Sequence, residues 1–303
     1  MHPAPSIVVF TVFSGLGLGM VFWAGLGAGP DHGAARWWIA VLALGFSAVG
    51  GLASTRHLAR PDRAWRAFSQ WRSSWLSREA CLMVAALGAF AIYAAGWTLG
   101  GVRVAALGWI AAGLALATVY ATAMIYAQLR TVPRWSLTPT PQMFLVFAGV
   151  GGFLGVQAAA ALAGAEVAAG WALPGLVLAA GVAVWWQTEA AGAGRRSAGS
   201  DIGTATGLGR LGRVRLFEPP HTGSNYLLDE MAYRVGRRRA YQVRLVAAWL
   251  GFLVPLGLAL LALAFGGWLM VPALIAHVAG MLALRWLFFA EAEHVQAFYY
   301  GLR

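Results

Sequence analysis

Eight apolar runs, each long enough to cross a bilayer as a helix, restrict the folds open to this chain. A transmembrane helix needs about 20 predominantly apolar residues. Within lipid every backbone polar group must be bonded internally, so only α-helices and closed β-barrels can span it. The runs are continuous and lack the alternation of a barrel strand. The sequence therefore predicts an all-α, polytopic membrane protein, a bundle of eight transmembrane helices.

The spans are delimited by where apolar residues give way to polar ones. We predict them at about 5–26, 36–56, 79–99, 103–127, 142–163, 172–190, 242–265 and 268–290. The third and fourth spans, and the seventh and eighth, are joined by very short connections, which predict antiparallel helical hairpins. Residues 1–303 then form a single integral membrane domain with one long insert at 191–241.

Composition excludes several protein classes. The chain is 60% hydrophobic and only 11% charged, whereas a soluble domain has roughly 25% charged residues. Its formal charge of +11 does not indicate nucleic-acid binding, because the chain has little soluble surface on which to display it. The expected surrounding partner is membrane lipid. One cysteine excludes a disulfide framework and an iron–sulfur cluster held by this chain alone.

The placement of arginine predicts the orientation. All 22 basic residues are arginine, and 19 of them lie in loops or tails on one side of the predicted bundle. Only Arg36 and Arg103 lie on the other side, and Arg285 lies within the last span. Cytoplasmic loops are enriched in basic residues, so we expect both termini on the cytoplasmic side of a bacterial inner membrane. The N-terminus lacks a basic n-region and a small-residue cleavage site, so no removable signal peptide is expected.

The insert at 191–241 is the largest polar segment. Its "GLGRLG" at 207–212 matches G-x-G-x-x-G, but no predicted strand precedes it, so a nucleotide site is not expected. A segment of this length that only connects two helices is uncommon. It also combines turn residues, aromatic residues and a predicted basic helix at 228–244. We interpret it as a cytoplasmic docking insert for a partner, with a flexible loop as the alternative.

The stretch "TRHLARPDRAWRAFSQWRSSWLSREA" at 55–80 concentrates arginine and tryptophan around His57. Histidine exchanges protons near neutral pH, so His57 is a candidate proton donor at the membrane surface. Aromatic residues recur here at offsets of three or four: Trp65, Phe68, Trp71 and Trp75. This spacing predicts an interfacial helix over 62–76 with an aromatic face. That face suits either anchoring in the headgroup region or a cleft for a lipophilic ring.

Further polar residues enter the spans themselves. Ser77, Arg78 and Glu79 lie at the membrane level of His57, and Glu79 is either part of a helix-end pair or a proton relay to a buried site. Ionisable residues inside a bilayer are candidate functional residues by default, and here they are Glu189, His277 and Arg285. His57 and His277 belong to opposite ends of the bundle and could not ligate one haem. We expect no haem and no metal site.

Three motifs resemble the membrane anchor subunits of the dimethyl sulfoxide reductase family. They are "HPAPSIVVFTVFSG" at the start, "RHLARP" with "LSRE" within 56–79, and "TVPRWSLTPTPQMFLVFAGVGGFLG" at 131–155. The resemblance extends over nearly the whole chain and implies an eight-helix anchor without haem. It implies two partners, an iron–sulfur subunit and a molybdopterin catalytic subunit, which carry those cofactors. It also implies electron exchange with quinone, ubiquinone or menaquinone, at His57.

Within that family, the arginine-rich His57 side, the insert and the "RWLFFAEAEHVQAFYYG" tail resemble anchors of cytoplasm-facing sulfite dehydrogenase complexes. The expected function is to pass electrons from sulfite oxidation on a cytoplasmic partner to the quinone pool, with no substrate chemistry on this chain. A quinol-oxidising anchor of a dimethyl sulfoxide or related reductase is the alternative. A membrane transporter is a more remote alternative, because the spans show no inverted repeat.

The predicted quinone-binding residues are His57, Arg66, Trp71, Trp75, Ser77, Arg78 and Glu79. In this hypothesis His57 donates a proton to a quinone carbonyl. Arg66 or Arg78 stabilises the developing negative charge. Trp71 and Trp75 form the walls of the ring pocket, and Glu79 connects the site to water.

Overall fold

The computed structural model describes residues 3–31, 33–56, 60–193, 201–218 and 234–295. Within these ranges the regular structure is entirely helical and includes no β-strand. Eight helical segments are long and apolar enough to cross a membrane. The predicted all-α bundle of eight spans is therefore confirmed.

The helices follow one another with short connections. In chain order they are α1 (Pro5–Gly25), α2 (Ala35–Thr55), α3 (Trp75–Leu99), α4 (Ala105–Ala127), α5 (Pro139–Leu162), α6 (Ala172–Ala193), α7 (Ile202–Thr206), α8 (Arg234–Ala248), α9 (Val254–Phe265) and α10 (Met270–Ala290). A π-helical turn, Trp249–Leu253, joins α8 to α9, and the two form one span. Short 3-10 turns precede α6 and α10. Helix α3 begins at Trp75, earlier than the predicted residue 79.

Helices α1 and α5 form the centre of the bundle, and 67% of the most apolar stretch of each helix is buried inside the protein. They cross through glycines. A Cβ added to Gly19 would lie 1.8 Å from the carbonyl oxygen of Ala148, and one added to Gly152 would lie 2.0 Å from the carbonyl carbon of Gly19. Small residues at such crossings let helix backbones touch inside a membrane. Close packing of α1 on α5 therefore depends on these two glycines.

The two ends of the bundle differ in charge. We call the end at which α1 begins and α10 ends the arginine-rich face; the loops 56–74 and 128–138 lie there. The opposite end is closed by the connections 26–34, 100–104, 163–171 and 266–269. Because the number of spans is even, the start of the first span and the end of the last span lie at the same face.

At the opposite end both arginines have structural partners. Arg103 donates to the carbonyl of Gly27 at 2.9 Å and pairs with Asp31 at 2.8 Å. Arg36 donates to the carbonyl of Trp97 at 3.1 Å, and the Trp97 indole donates to Asp31 at 2.5 Å. These contacts tie the loop that contains Asp31 to the loop that contains Arg103.

The predicted interfacial helix over 62–76 is wrong as a single helix. The structure has a 3-10 helix at Pro61–Phe68, then turns, and α3 starts only at Trp75. The Ser69 backbone and hydroxyl both donate to the carbonyl of Arg66, and the Ser73 hydroxyl lies 3.5 Å from the carbonyl oxygen of Gln70. Serine side chains that bond nearby backbone compete with helix propagation. This run of serines therefore divides the segment into turns.

Part of the long insert is described. The Asp201 side chain and Thr204 form a reciprocal capping box at the start of α7, and Gly207 follows with φ of 69°. The "GLGRLG" segment forms a 3-10 turn without a preceding strand in the described part of the chain, so it lacks the strand–turn–helix context of a dinucleotide site. The predicted basic helix at 228–244 overlaps α8; residues 219–233 lie outside the described ranges.

Candidate functional site

His57, the central residue of the predicted quinone site, lies outside the described residues, together with Leu58 and Ala59. The described chain stops at Arg56 and resumes at Arg60. Helix α2 ends at Thr55, at the arginine-rich face. Where the described chain resumes, the Arg60 guanidinium donates a bidentate pair of hydrogen bonds to the carboxylate of Asp62, at 3.0 and 3.1 Å.

The structure brings Trp71, Trp75 and Arg78 together. The Arg78 guanidinium donates to the backbone carbonyls of Trp71 at 3.1 Å and of Arg72 at 2.6 Å. Its central carbon lies 4.4 Å from the centre of the Trp75 ring, a distance typical of a cation–π contact. The Trp75 ring meets Tyr120 of α4 edge to face at 5.8 Å. Arg78 is therefore held against an aromatic wall at the start of α3.

Arg66 is not part of this arrangement. Its side chain is exposed and lies over the ring of Trp65, with its central carbon 5.5 Å from the ring centre. The Trp71 ring is 55% exposed and is covered in part by the guanidinium of Arg72 at 5.4 Å. These rings lie on the protein surface, as side chains at a headgroup boundary do.

Ser77 and Glu79 point the other way, into the bundle. Each is only 4% exposed. The hydroxyl of Thr122 on α4 donates a short hydrogen bond to the Glu79 carboxyl. A carboxyl group buried among helices is energetically unfavourable and is found where it has a partner or a function. Arg78 and Glu79 are thus adjacent in sequence but lie on different sides of α3, one at the surface and one inside.

Arg285 on α10 is a second ionisable residue in the interior. It is 5% exposed, and its guanidinium carbon lies 3.5 Å from the centre of the Phe144 ring. Its Nη1 has no hydrogen-bond partner among the described residues. The ring of Tyr126 on α4 stacks on Phe144 with the ring centres 5.7 Å apart. Tyr126 and Arg285 therefore pack against the same aromatic ring.

His277, two helical turns before Arg285, is also buried, with 1% of its surface exposed. Its Nδ1 lies 2.7 Å from the carbonyl oxygen of Gly251 in the π-helical turn. In an α-helix the carbonyl of Gly251 would accept a hydrogen bond from the residue four positions later. That residue is Pro255, which has no N–H, so the carbonyl of Gly251 is available to His277. A carbonyl can only accept, so Nδ1 carries the proton and Nε2 is left as an acceptor in the neutral ring. Within the described chain Nε2 has no partner.

The close fit of α10 on the π-helical turn allows this contact. A Cβ added to Gly280 would lie 2.1 Å from the backbone nitrogen of Gly251. Single π turns inside α-helices occur frequently at functional sites. Here the turn presents a carbonyl to a histidine that lies one helical turn before Gly280.

A small cavity joins these groups. It has a volume of about 30 Å³, enough for two or three water molecules, since each requires about 10–15 Å³. Its polar lining comes from five residues on three helices: Thr11, Ser14, Thr122, His277 and Arg285. Thr122 also bonds Glu79, so the cavity reaches the acid through one hydroxyl. Such an arrangement can hold water and pass protons between these groups.

Sequence reasoning identified Glu79, His277 and Arg285 one at a time and did not bring them together. A spacing of eight residues places His277 and Arg285 on one face of α10, which was a usable signal. Thr122 and Tyr126 were missed, because a threonine or tyrosine in an apolar helix is not distinctive until the packing is known.

The "TVPRWSL" motif has a structural role. The Trp135 indole donates to the carbonyl of Phe288 at 2.9 Å and stacks on the Phe288 ring at 5.7 Å. The carbonyl of Thr131 accepts from Val295 N–H at 2.9 Å. The loop between α4 and α5 is therefore fastened to the end of α10, beside the cavity.

Comparison with known proteins identifies the family. Residues 1–186 match the family described as DMSO reductase anchor subunit (DmsC). The chain belongs to this anchor-subunit family. It is also 29% identical, over 327 aligned residues covering 99% of each chain, to a sulfite dehydrogenase subunit of Allochromatium vinosum. The protein is thus an anchor subunit of an oxidoreductase complex and not its catalytic subunit, and the transporter alternative is not supported.

Proposed function

We propose that this anchor subunit passes electrons between an iron–sulfur partner on the arginine-rich face and the membrane quinone pool, in the direction from sulfite to quinone. The name of the Allochromatium relative, a subunit of a sulfite dehydrogenase, supports the substrate class. The family match supports the role as an anchor. The molybdopterin group and the iron–sulfur clusters belong to the partners, and this chain contributes the quinone site.

The single observation that carries the proposal is the arrangement at the start of α3. Arg78 lies against Trp75 at the surface, and the next residue, Glu79, accepts a hydrogen bond from Thr122, which lines the cavity inside. A quinone ring requires flat apolar walls, donors for its two carbonyl oxygens and a source of protons. Indole faces, a guanidinium and a carboxyl with a route to water meet these chemical requirements, and the sequence predicts His57 at the same membrane level.

Each residue has a defined part. Trp71 and Trp75 bind the ring, and Arg78 orients it through donors left after its two backbone bonds. His57 supplies a proton at the carbonyl nearest to α2. Glu79 exchanges protons with the cavity through Thr122. A bound quinone supplies two-electron, two-proton redox chemistry, and every proton that it takes up must come through groups of this kind.

We assign the arginine-rich face to the cytoplasm of a bacterial inner membrane because 19 arginines lie on that side against two on the other. Both termini and the iron–sulfur partner are then cytoplasmic. The insert at 191–241 is assigned to docking of that partner. Its described part presents apolar side chains to solvent, with Phe217 99% and Leu211 85% exposed. Exposed apolar residues beside arginines are typical of interaction sites.

The experiment compares two electron acceptors in the purified complex. His57→Ala and Arg78→Gln should each lower quinone-linked sulfite oxidation at least tenfold and leave oxidation with a soluble dye unchanged. Arg63→Gln is the matched control, because Arg63 is exposed in the same segment and lies near Asp62 at 3.9 Å. Full quinone activity in both site variants contradicts the assignment. Loss of dye-linked activity as well shows that the variant failed to assemble.

The family description favours one second candidate, a quinol-oxidising anchor of a dimethyl sulfoxide reductase. The same residues would serve that reaction, with protons leaving through Glu79 rather than entering. Assaying the native complex with sulfite plus quinone, and separately with quinol plus dimethyl sulfoxide, distinguishes the two directions. Turnover only in the second assay would replace the sulfite proposal.

A further inference from the structure

A groove runs between α6 on one side and α8 with the π-helical turn that follows it on the other. Its volume is about 550 Å³, within the range of about 300–1,000 Å³ that small-molecule sites occupy. Most of its wall is apolar: Ala180, Ala183, Val184, Ala247, Phe252 and Leu253. Val184 is 63% and Leu253 is 49% exposed. Because both belong to membrane-spanning helices, the groove opens sideways toward lipid.

One end of the groove is cationic. Arg134 and Arg244 both line it, and no acidic residue does among the described lining residues. Behind them lies Glu291, which is 5% exposed and contacts both guanidinium groups. The Arg134 side chain is 18% exposed and that of Arg244 is 42% exposed. Among the described residues at this end, two arginines contact one carboxylate, which leaves one positive charge in excess.

A donor also faces the same end. The amide Nε2 of Gln187 is buried and has no hydrogen-bond partner within the described ranges, although Gln187 lines the groove beside Thr188. A buried amide without a partner is unfavourable by the desolvation of its N–H groups. An acceptor oxygen in the groove would satisfy it.

We propose that this groove binds an anionic phospholipid, with its phosphate at Arg134 and Arg244 and its acyl chains along α6 and the π-helical turn. The proposal does not rest on the quinone chemistry above. A phosphate matches the net positive charge and offers acceptors to the guanidinium groups and to Gln187. A neutral quinone head would leave the charge uncompensated. Basic pockets between spans at the arginine-rich side of a membrane favour anionic headgroups.

The site has a consequence for assembly. Its cationic end is built from the loop before α5, from α8 and from the end of α10. A phosphate there offsets the repulsion between the two arginines. Helix α8 leads directly from the proposed docking insert, so a bound lipid stabilises the base of that insert.

The test is native mass spectrometry of the complex transferred into nanodiscs of phosphatidylcholine, then titrated with phosphatidylglycerol. The wild-type complex should retain one phosphatidylglycerol per anchor subunit. Arg244→Gln should weaken retention about fivefold or more, the effect of roughly one cationic contact. Arg239→Gln is the matched control, since Arg239 is exposed on the same helix but does not line the groove; it should bind like the wild type.

A second variant distinguishes a loss of lipid binding from misfolding of Arg244→Gln. Ala183→Phe fills the groove and leaves all three charged residues in place, so it should lose the lipid while the complex still assembles. Equal retention of phosphatidylcholine and phosphatidylglycerol overturns the proposal. So does unchanged binding in both Arg244→Gln and Ala183→Phe, or the finding that extracted quinone or a partner helix occupies the groove.

Discussion

Replacing Gly152 by alanine tests the crossing of α1 and α5 on which the bundle depends. The added Cβ would lie 2.0 Å from the carbonyl carbon of Gly19 and 2.5 Å from its Cα. Both are backbone atoms, so no side-chain rotation relieves the contact. Carbon atoms in contact lie about 3.5–4.0 Å apart, so the two helices must separate by about 1.5 Å.

The size of the effect follows from two opposing terms. Overpacking a well-packed interior destabilises by about 1–3 kcal/mol. Alanine in place of glycine within a helix stabilises by about 1 kcal/mol. Gly149, one turn earlier on α5, has nothing within 4 Å of an added Cβ, so Gly149→Ala feels only the second term. We expect the free energy of unfolding of the two variants to differ by about 1–3 kcal/mol, with Gly152→Ala the less stable.

The measurement is equilibrium unfolding of the purified protein in mixed detergent micelles, with the wild type and both variants in parallel. Near-identical stability of Gly152→Ala and Gly149→Ala would refute the close crossing. A loss of stability in Gly149→Ala alone would show that α5 presents a different face to α1.

Three further predictions concern single side chains. Thr122→Val removes the hydroxyl that donates to Glu79 at nearly constant side-chain volume. Quinone-linked turnover should fall severalfold while dye-linked turnover in the same preparation is retained. Quinone-linked turnover equal to that of the wild type would exclude the cavity as a proton route. Trp135→Phe loses one hydrogen bond to a backbone carbonyl of α10, which should lower the free energy of unfolding by about 1 kcal/mol; a stability equal to the wild type would contradict the proposed fastening. Arg103→Gln removes the ion pair with Asp31 and the hydrogen bond to the Gly27 carbonyl at the opposite end. Protease should therefore cleave the 26–34 loop faster than in the wild type. An unchanged cleavage rate would mean that other contacts hold the loop.

The number and class of helices could be predicted from the sequence, because hydropathy in lipid leaves few alternatives. The segment around Trp71 could not be predicted in detail. Its aromatic spacing indicated one helix, whereas serine side chains bonded to the local backbone divide it into a 3-10 helix and turns. Spacing records which residues could share a face, not whether the backbone remains helical between them.

For the site, the sequence identified which residues are unusual but not which of them meet. Glu79 was assigned together with Arg78 to one level of the membrane, and the structure places the two on different sides of α3. The link from Glu79 through Thr122 to a cavity shared with His277 requires the packing of three helices. That packing depends on glycine contacts such as Gly251 with Gly280, which no single-residue property reports.

Covalent labelling of the native complex with a photoreactive quinone analogue, followed by peptide mapping, tests the central claim most directly. The account predicts label on peptides from residues 57–79, reduced by excess natural quinone and lost in Arg78→Gln. Competed label confined to residues 180–191 and 244–253, the walls of the α6–α8 groove, would contradict it and move the quinone site to the position assigned here to lipid.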